Sequence, residues 1–309
     1  MVDVSERELL DLLQSCSNRG RWGADDERGT LNFVTPEVTQ SATSGVKDGV
    51  MIDCSRSITP KLLDGGHNPF IHYMIDTGDL DPRKEWSSAA DFIGIRIHGA
   101  SITHLDAHSH FFWRGQSYNG LKSTDVSALR GATKGSVQSF SPGVVTRGVL
   151  LDVPRALGVE WLELGYRITA EDIAKCLDAQ STVILPGDAV FIRTGKDLAP
   201  TDEGERLGYG ADSCAGLDES CIPWLFDSSI SILGSDGVND AVPSRYDSMP
   251  LPVHTVGITA MGLWLIDNAD FELLAQRCSE VNEWSFMLAL SVLQLKNTTG
   301  CPVTPMAIF

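Results

Sequence analysis

The chain has 309 residues, with 24 Lys and Arg against 41 Asp and Glu, and its formal net charge at pH 7 is -17. A protein this acidic is a poor partner for nucleic acid or for an anionic membrane, because a phosphate backbone needs a basic surface to displace its counterions. Apolar residues make up 42% and charged residues 21%, which is ordinary globular usage and excludes a disordered chain.

The first third of the chain predicts two helices and two strands. Leucines recur at helical spacing over Glu6–Cys16, and the sequence Asn18-Arg19-Gly20 ends this helix. Thr35-Pro36-Glu37 is typical of a helix start, because it combines a hydroxyl at the N-cap with a proline in the first turn. Residues 50–58 and Phe92–Ile97 have the apolar pattern of strands.

Strands and helices alternate through the rest of the chain. The predicted strands are Val144–Val153, Asp188–Arg193, Ile230–Leu233, Leu263–Ile266 and Ser285–Leu295. The predicted helices span 170–179, which the capping sequence Thr169-Ala-Glu-Asp starts, 218–227, about 252–261 and 270–279. This alternation predicts an α/β fold with a mixed sheet. Length alone would allow one domain or two, and we expect a single domain over 1–309. The polar, glycine-rich stretch 195–217 is expected to be a functional loop.

The cysteines and the N-terminus predict a cellular location. None of the seven cysteines forms a C-x-x-C pair and their number is odd, so reduced thiols are expected rather than a disulfide framework. The first residues are acidic where a signal peptide carries positive charge, and no window approaches the roughly 18 apolar residues of a membrane span. We therefore expect a cytoplasmic protein.

A cluster of histidines is the main chemical feature of the sequence. Four of the seven, His98, His104, His108 and His110, lie within thirteen consecutive residues. On an extended segment His104 and Asp106 project from the same face, and the other three histidines share that parity. Imidazole with carboxylate and no thiolate suits Zn²⁺ or Mn²⁺, as one or two ions. The alternative is a set of surface or hydrogen-bonded core histidines.

The cluster lies in a motif with a known counterpart. The sequence T-H-L-D-A-H-S-H, from Thr103 to His110, resembles the T-H-x-D-A-x-x-H signature of the cyclase family of metal-dependent hydrolases, which includes bacterial kynurenine formamidase and isatin hydrolase. The opening GRWGADDERGTLN, the Y-N-G at 118–120 and the closing TGCPVTP also resemble segments of that family. The resemblance implies a swivelling β/β/α-type cyclase fold with a mixed sheet, assembled as a homodimer or homotetramer.

The resemblance also implies roles for individual residues. His104 and Asp106 match two metal ligands, and the aspartate is able to bridge two ions. His110 matches the histidine that exchanges protons with the substrate. The segment PLPVHTVGITAMGLWLIDN resembles the region that supplies a distant histidine and an acidic ligand, which makes His254 and Asp267 the corresponding residues here.

Two positions depart from the family pattern. Ala100 stands where formamidases have a first metal histidine, and His98 is the substitute candidate because it has the same strand parity as His104. If His98 does not reach the ion, the site holds one metal rather than two. The acidic ligand is Asp267 where formamidases have glutamate, so the backbone must come closer or a water must bridge.

Aromatic residues follow the motif and are candidates for binding a small, flat substrate. Phe112, Trp113 and Tyr118, together with His108, are the predicted substrate-binding residues, and ordinary core packing is the alternative for the aromatic rings. His108 could equally be a hydrogen-bond donor behind the ligands, a substrate contact or an exposed residue.

The sequence thus predicts a metal-dependent hydrolase that cleaves an amide, formamide, cyclic amide or lactone bond, with His110 as the proton shuttle. Serine-esterase and zincin motifs, G-x-S-x-G and H-E-x-x-H, do not occur. The alternative is a non-hydrolytic metal-dependent cyclase or dehydratase, or a small-molecule binding protein with a degenerate site. Two further motifs are expected to be structural: the Trp22 to Asp26 turn in capping and packing, and Gly234-Ser235-Asp236-Gly237 as a wall at a strand end.

Overall fold

The computed structural model describes residues 4–59, 70–79, 83, 85–99, 101–200 and 213–309. Ala100 and residues 201–212 of the predicted functional loop lie outside the described residues. Within this part of the chain, no helix combines the length and the apolar composition that a bilayer crossing requires.

The helices begin where the sequence supplies caps. Thr35 accepts a hydrogen bond from the amide of Val38, and Thr169 and Asp172 form a reciprocal capping box, so both predicted helix starts are confirmed. The described α-helices are α1 Val4–Ser15, α2 Pro36–Ser44, α3 Val153–Leu157, α4 Ala170–Ala179, α5 Ile222–Asp227, α6 Pro252–Val256 and α7 Glu272–Val281. A π-helical turn, Gly257–Met261, continues α6, so the helix predicted over 252–261 is divided in two.

The strands found in the same residues are β1 Met51–Asp53, β2 Phe70–Thr77, β3 Ala89–Ile95, β4 His104–Asp106, β5 Val126–Ser127, β6 Gly131–Ala132, β7 Val144–Asp152, β8 Arg167–Ile168, β9 Ala189–Arg193, β10 Gly216–Leu217, β11 Ile232–Ser235, β12 Trp264–Asp267, β13 Ser285–Leu290, β14 Gly300–Pro302 and β15 Met306–Ile308. Two predicted strands are shorter than expected. The strand predicted over 50–58 ends at Asp53, whose carboxylate accepts the amide of Ser55 in a turn. The strand predicted over Ser285–Leu295 ends at Leu290, which pairs with Val144, the first residue of β7.

One mixed sheet organises the described molecule, which confirms the predicted α/β fold. Its nine strands lie in the order β1-β15-β13-β7-β9-β11-β12-β4-β14. Strands β7, β9, β11 and β12 are parallel, whereas β4 runs antiparallel between β12 and β14. The register places His104 directly beside Asp267 on one side and Pro302 on the other. The carboxyl end of β12 therefore meets the amino end of β4.

The sheet separates two apolar cores. One face packs against α4, α5 and α6, with side chains such as Leu233, Leu265 and Val256, and we call it the α6 face. The other face packs against α7 and contains Leu105 and Ile266. Because successive side chains of a strand point to opposite faces, the residues on either side of Leu105 and after Ile266 project toward α6.

Candidate metal centre

Four predicted ligands meet on the α6 face. His104 and Asp106 flank Leu105 on β4, Asp267 ends the neighbouring β12, and His254 comes from α6, which covers this end of the sheet. Each residue is at most 1% exposed. Strand parity, sheet register and one covering helix together bring the residues into a single buried cluster.

The distances suit ligands around an ion. The ligand atoms of His104, Asp106 and Asp267 all lie within 4.8 Å of one another. His104 Nε2 is 3.5 Å from Asp106 Oδ1, and His254 Nε2 is 3.3 Å from Asp267 Oδ2. His104 Nδ1 donates to the carbonyl of Ile102 at 2.7 Å, so the ring presents its other nitrogen, Nε2, to the cluster.

Two carboxylate oxygens in the cluster lack a hydrogen bond. Asp106 Oδ2 and Asp267 Oδ2 are buried, and neither has a hydrogen-bond partner among the described residues. Buried carboxylate oxygens without a hydrogen bond are costly unless a cation or a proton compensates them. The donor set, two imidazoles and two carboxylates, fits Zn²⁺ or Mn²⁺.

The electrostatics of the cluster favour positive charge. Burial alone would lower the pKa of His254, but Asp267, Asp106 and Asp240 together hold it well above its usual value. Burial would likewise raise the pKa of Asp106, yet the surrounding histidines, His110 and His254 first among them, hold it well below its usual range. The pocket thus keeps its carboxylate ionised and attracts a cation.

A second group shares Asp106. The ligand atoms of His98, Asp106 and His110 also lie within 4.8 Å of one another. His98 Nδ1 is 2.8 Å from Asp106 Oδ1, and the rings of His98 and His110 stack with centroids 3.6 Å apart. The predicted substitute ligand His98 thus reaches Asp106, and its ring meets that of His104 edge to face with centroids 5.3 Å apart. Its ligand atom nevertheless groups with those of Asp106 and His110 rather than with those of His104 and Asp267.

The closing T-G-C-P segment positions His98. Thr299 Oγ1 is 2.9 Å from His98 Nε2, and a Cβ placed on Gly300 would lie 2.7 Å from the ring carbon Cε1. The contact of Nε2 with Thr299 turns the other ring nitrogen, Nδ1, toward Asp106. The motif recognised at the end of the sequence therefore belongs to the site: its threonine orients the imidazole and its glycine leaves room for the ring.

His110 lies at the more open side of the cluster. Its side chain is 20% exposed, and its Nε2 is 3.8 Å from Asp106 Oδ2. Burial, together with the neighbouring histidines, lowers the pKa of His110 to about 4, against the opposing effect of Asp106. At neutral pH the imidazole is therefore uncharged and able to accept a proton, which differs from the unperturbed value near 6.5 expected for a free shuttle.

The predicted substrate-binding residues differ in burial and do not form one cluster as the predicted ligands do. His108 and Tyr118 are buried: His108 Nε2 donates to the carbonyl of Gly262 at 3.0 Å, and the Tyr118 hydroxyl donates to Asp26 at 3.0 Å. These contacts tie His108 to the turn before β12 and Tyr118 to the N-terminal turn, rather than to Asp267 at the far end of β12. Phe112 and Trp113 are half-buried, and Trp113 packs at the margin of the α6-face core.

Phe111 contacts the cluster directly. Its ring centroid lies 5.3 Å from that of His110 and 5.3 Å from that of His254. It therefore forms an apolar wall beside both imidazoles. The sequence placed Phe111 in the same aromatic run as Phe112 and Trp113 but could not show which ring faces the ligands.

Asp240 and Asn239 support two of the ligands, and the sequence did not predict this role for either residue. Asp240 Oδ2 lies 2.5 Å from His254 Nδ1, and its carboxylate also accepts the amides of Val253 and His254 at the start of α6. Asn239 donates to Asp267 Oδ1 at 2.7 Å. A carboxylate behind a histidine fixes its tautomer and orients Nε2 toward a metal. No local pattern marks Asp240, because it is 14 residues away from His254.

The two motifs expected to be structural have structural contacts. Asp26 accepts hydrogen bonds from the amide of Gly29 and the side chain of Asn32, which closes the N-terminal turn. Asp236 accepts from the amides of Thr194 and Gly195 and from the Thr194 hydroxyl, which joins the ends of β9 and β11.

The contacts of Asp240 lead to a prediction. Asp240→Asn should weaken Mn²⁺ binding by about 10–100-fold, because His254 loses the carboxylate that orients it. Equilibrium dialysis of the chelator-treated protein measures this dissociation constant. Asp247→Asn, an exposed carboxylate in the same loop, is the matched control and should bind as the wild type does. Unchanged affinity in Asp240→Asn would show that His254 needs no such support.

Comparisons with known proteins agree with this architecture. A family model named Cyclase matches residues 52–240. A crystal structure described as a novel cyclase is 27% identical, with a TM-score of 0.85 over 95% of this chain and 99% of that chain. No curated protein matches the chain.

Two isatin hydrolase structures share the fold at lower identity. Isatin hydrolase A from Labrenzia aggregata, bound to benzyl benzoate, is 20% identical with a TM-score of 0.56 over 88% of this chain and 97% of that chain. Isatin hydrolase A from Ralstonia solanacearum is 17% identical with a TM-score of 0.60 over 88% and 95% of the two chains. Because the matched region covers more than half of the 309 residues, the chain belongs to the cyclase family.

Proposed function

We propose that this protein is a metal-dependent hydrolase that opens an amide, formamide, cyclic amide or lactone bond of a small, aryl-type substrate. The observation that carries the proposal is the pair of unpartnered buried oxygens, Asp106 Oδ2 and Asp267 Oδ2, close to His254 Nε2. The isatin hydrolases that share the fold are consistent with this class of bond, and arylformamidase or lactonase activity is the finer form of the proposal.

His104, Asp106, His254 and Asp267 would hold the first ion, Zn²⁺ or Mn²⁺. Where a second ion is present, Asp106 would bridge to it, with His98 and His110 as its other candidate ligands. The two groups share Asp106, which supports a site for either one or two ions. The bound ion would lower the pKa of a water and polarise the scissile carbonyl.

The protein residues would then handle the proton. His110, neutral at pH 7 and partly exposed, takes the proton of the attacking water and passes it to the leaving nitrogen or oxygen. Asp240 holds His254 in the tautomer whose Nε2 faces the ligands, and Asn239 holds Asp267. Phe111 limits the water around both imidazoles.

Proton release tests this proposal. Opening a lactone to a carboxylate acidifies a weakly buffered solution, and so does opening an aryl amide, because the aryl amine that leaves stays unprotonated at neutral pH. Cyclisation by dehydration leaves no such acid. We expect acid release from isatin, N-formylkynurenine or an aryl lactone by the Zn²⁺- or Mn²⁺-loaded enzyme. A loaded protein that binds these compounds without releasing acid would instead support the non-hydrolytic or binding role.

We also propose that residues 1–309 form one domain working as a homodimer or homotetramer in the cytoplasm. One sheet joins strands from β1 to β15, and no disulfide joins any of the seven cysteines, all of which lie in the described residues. The β2–β3 hairpin exposes apolar side chains such as Ile71, Tyr73 and Ile93, each more than half exposed, and such surfaces usually lie in interfaces. Sedimentation of a monomer alone would contradict the oligomer.

A further inference from the structure

Asn268 follows the candidate ligand Asp267 at the end of β12. Its φ is 57°, in the left-handed region that asparagine tolerates better than most residues. This conformation turns the chain sharply, and its amide donates to the carbonyl of Gly237 at 2.8 Å. The turn thus joins the ends of β12 and β11 directly beside the metal centre.

The backbone carbonyl of Asn268 joins two further segments. It accepts the Thr103 hydroxyl at 2.7 Å and Arg56 Nε at 3.0 Å. Thr103 immediately precedes His104, so this contact holds the start of β4 against the end of β12. The segments that carry His104 and Asp267 are therefore held together by a hydrogen bond to the backbone of Asn268. This contact does not depend on the asparagine side chain.

The side chain of Asn268 reaches the other half of the site. Its Nδ2 donates to the carbonyl of Gly99 at 2.6 Å, and its Oδ1 accepts from Lys196 Nζ at 3.3 Å. Lysine only donates and a carbonyl only accepts, so these two partners determine which way the amide points. Gly99 follows His98, whose Nδ1 lies 2.8 Å from Asp106.

We propose that Asn268 is a positioning residue that holds His98 against Asp106 through the Gly99 carbonyl, and so sets the second ligand group relative to the first. This role rests on the metal centre of the proposed function but not on hydrolysis. Asn268 forms hydrogen bonds to the segments that carry both ligand groups. Its backbone carbonyl accepts from Thr103, which precedes His104, and its side chain donates to Gly99, which follows His98.

A double-mutant cycle with Mn²⁺ as the probe tests this role. Asn268→Gly permits the same left-handed backbone but removes both side-chain hydrogen bonds. If Asn268 acts through His98, Asn268→Gly should weaken Mn²⁺ binding by about tenfold or more. Losses of about 10–100-fold are typical when a residue that orients a metal ligand is replaced. In the His98→Ala background the same change should cost less than about twofold, since coupled residues are not additive.

Asn268→Asp keeps an acceptor for Lys196 but places an oxygen against the Gly99 carbonyl, and it should weaken Mn²⁺ binding in the same way as the glycine variant. Asn282→Gly, at another left-handed asparagine on the exposed end of α7, is the matched control and should leave binding unchanged. Thermal unfolding of the metal-free proteins shows that each variant folds.

The outcomes separate this role from the metal centre itself. Equal losses in the wild-type and His98→Ala backgrounds, or no loss in either, would overturn the positioning role and leave the metal centre standing. Failure of the wild-type protein to bind either Mn²⁺ or Zn²⁺ would overturn both.

Discussion

Replacing Asp106 with asparagine is expected to abolish stoichiometric metal binding and to reduce hydrolysis to below about one hundredth of the wild-type rate, beyond the 10–100-fold effect typical of residues that only support a ligand. Asp106 is the residue that both ligand groups share. Its Oδ1 faces His98 and its Oδ2 faces His254 and His110. The amide cannot supply negative charge to either group, so both should fail together.

Elemental analysis of the purified variant, with the pH-stat assay, measures both effects. Asp178→Asn, which changes an exposed carboxylate on α4, removes the same charge away from the site and should retain metal and activity. Full metal occupancy in Asp106→Asn would show that the histidine motif is not the metal site.

His110→Asn is expected to lower kcat by about 10²–10⁴, the range for loss of a positioned acid–base group, while the His104–Asp267 group keeps its ion. Asparagine fills similar space and forms hydrogen bonds but cannot accept the proton of the attacking water. Metal content distinguishes two roles for His110: unchanged stoichiometry indicates a proton shuttle alone, and loss of one of two ions indicates that it also ligates the second ion.

An exposed histidine supplies the control for this variant. His72→Asn on β2 should leave kcat unchanged, because that imidazole pairs with Asp91 on the hairpin surface. A fully active His110→Asn enzyme would refute the shuttle role.

The fold could be predicted where local sequence determines it. The capping residues Thr35 and Thr169 identified the starts of α2 and α4, since a cap is a contact within one turn. Apolar runs identified the buried parallel strands β7, β9 and β12 to within about two residues, the usual boundary error. The short β14 and β15 were not predicted, because their pairing partners lie far away in the chain.

In the candidate site, too, local spacing could be predicted from the sequence and long-range contacts could not. Spacing on an extended segment was enough to place His104 and Asp106 on one face, and β4 has that conformation. The partners that complete the centre depend on long-range packing: Asp240 meets His254 because α6 starts over the end of the sheet, and Asn268 meets Gly99 across 169 residues. Burial of His108 likewise depends on the distant turn at Gly262, which the motif does not encode.

Stripping and reloading the purified enzyme tests the central claim most directly. The protein would be treated with a chelator, assayed for acid release from isatin, N-formylkynurenine and an aryl lactone, and assayed again after addition of Zn²⁺ or Mn²⁺. The account predicts that acid release from at least one substrate disappears on stripping and returns with about one or two equivalents of metal. Acid release that persists in the fully stripped protein, or its absence in protein that holds metal, would contradict a metal-dependent hydrolase.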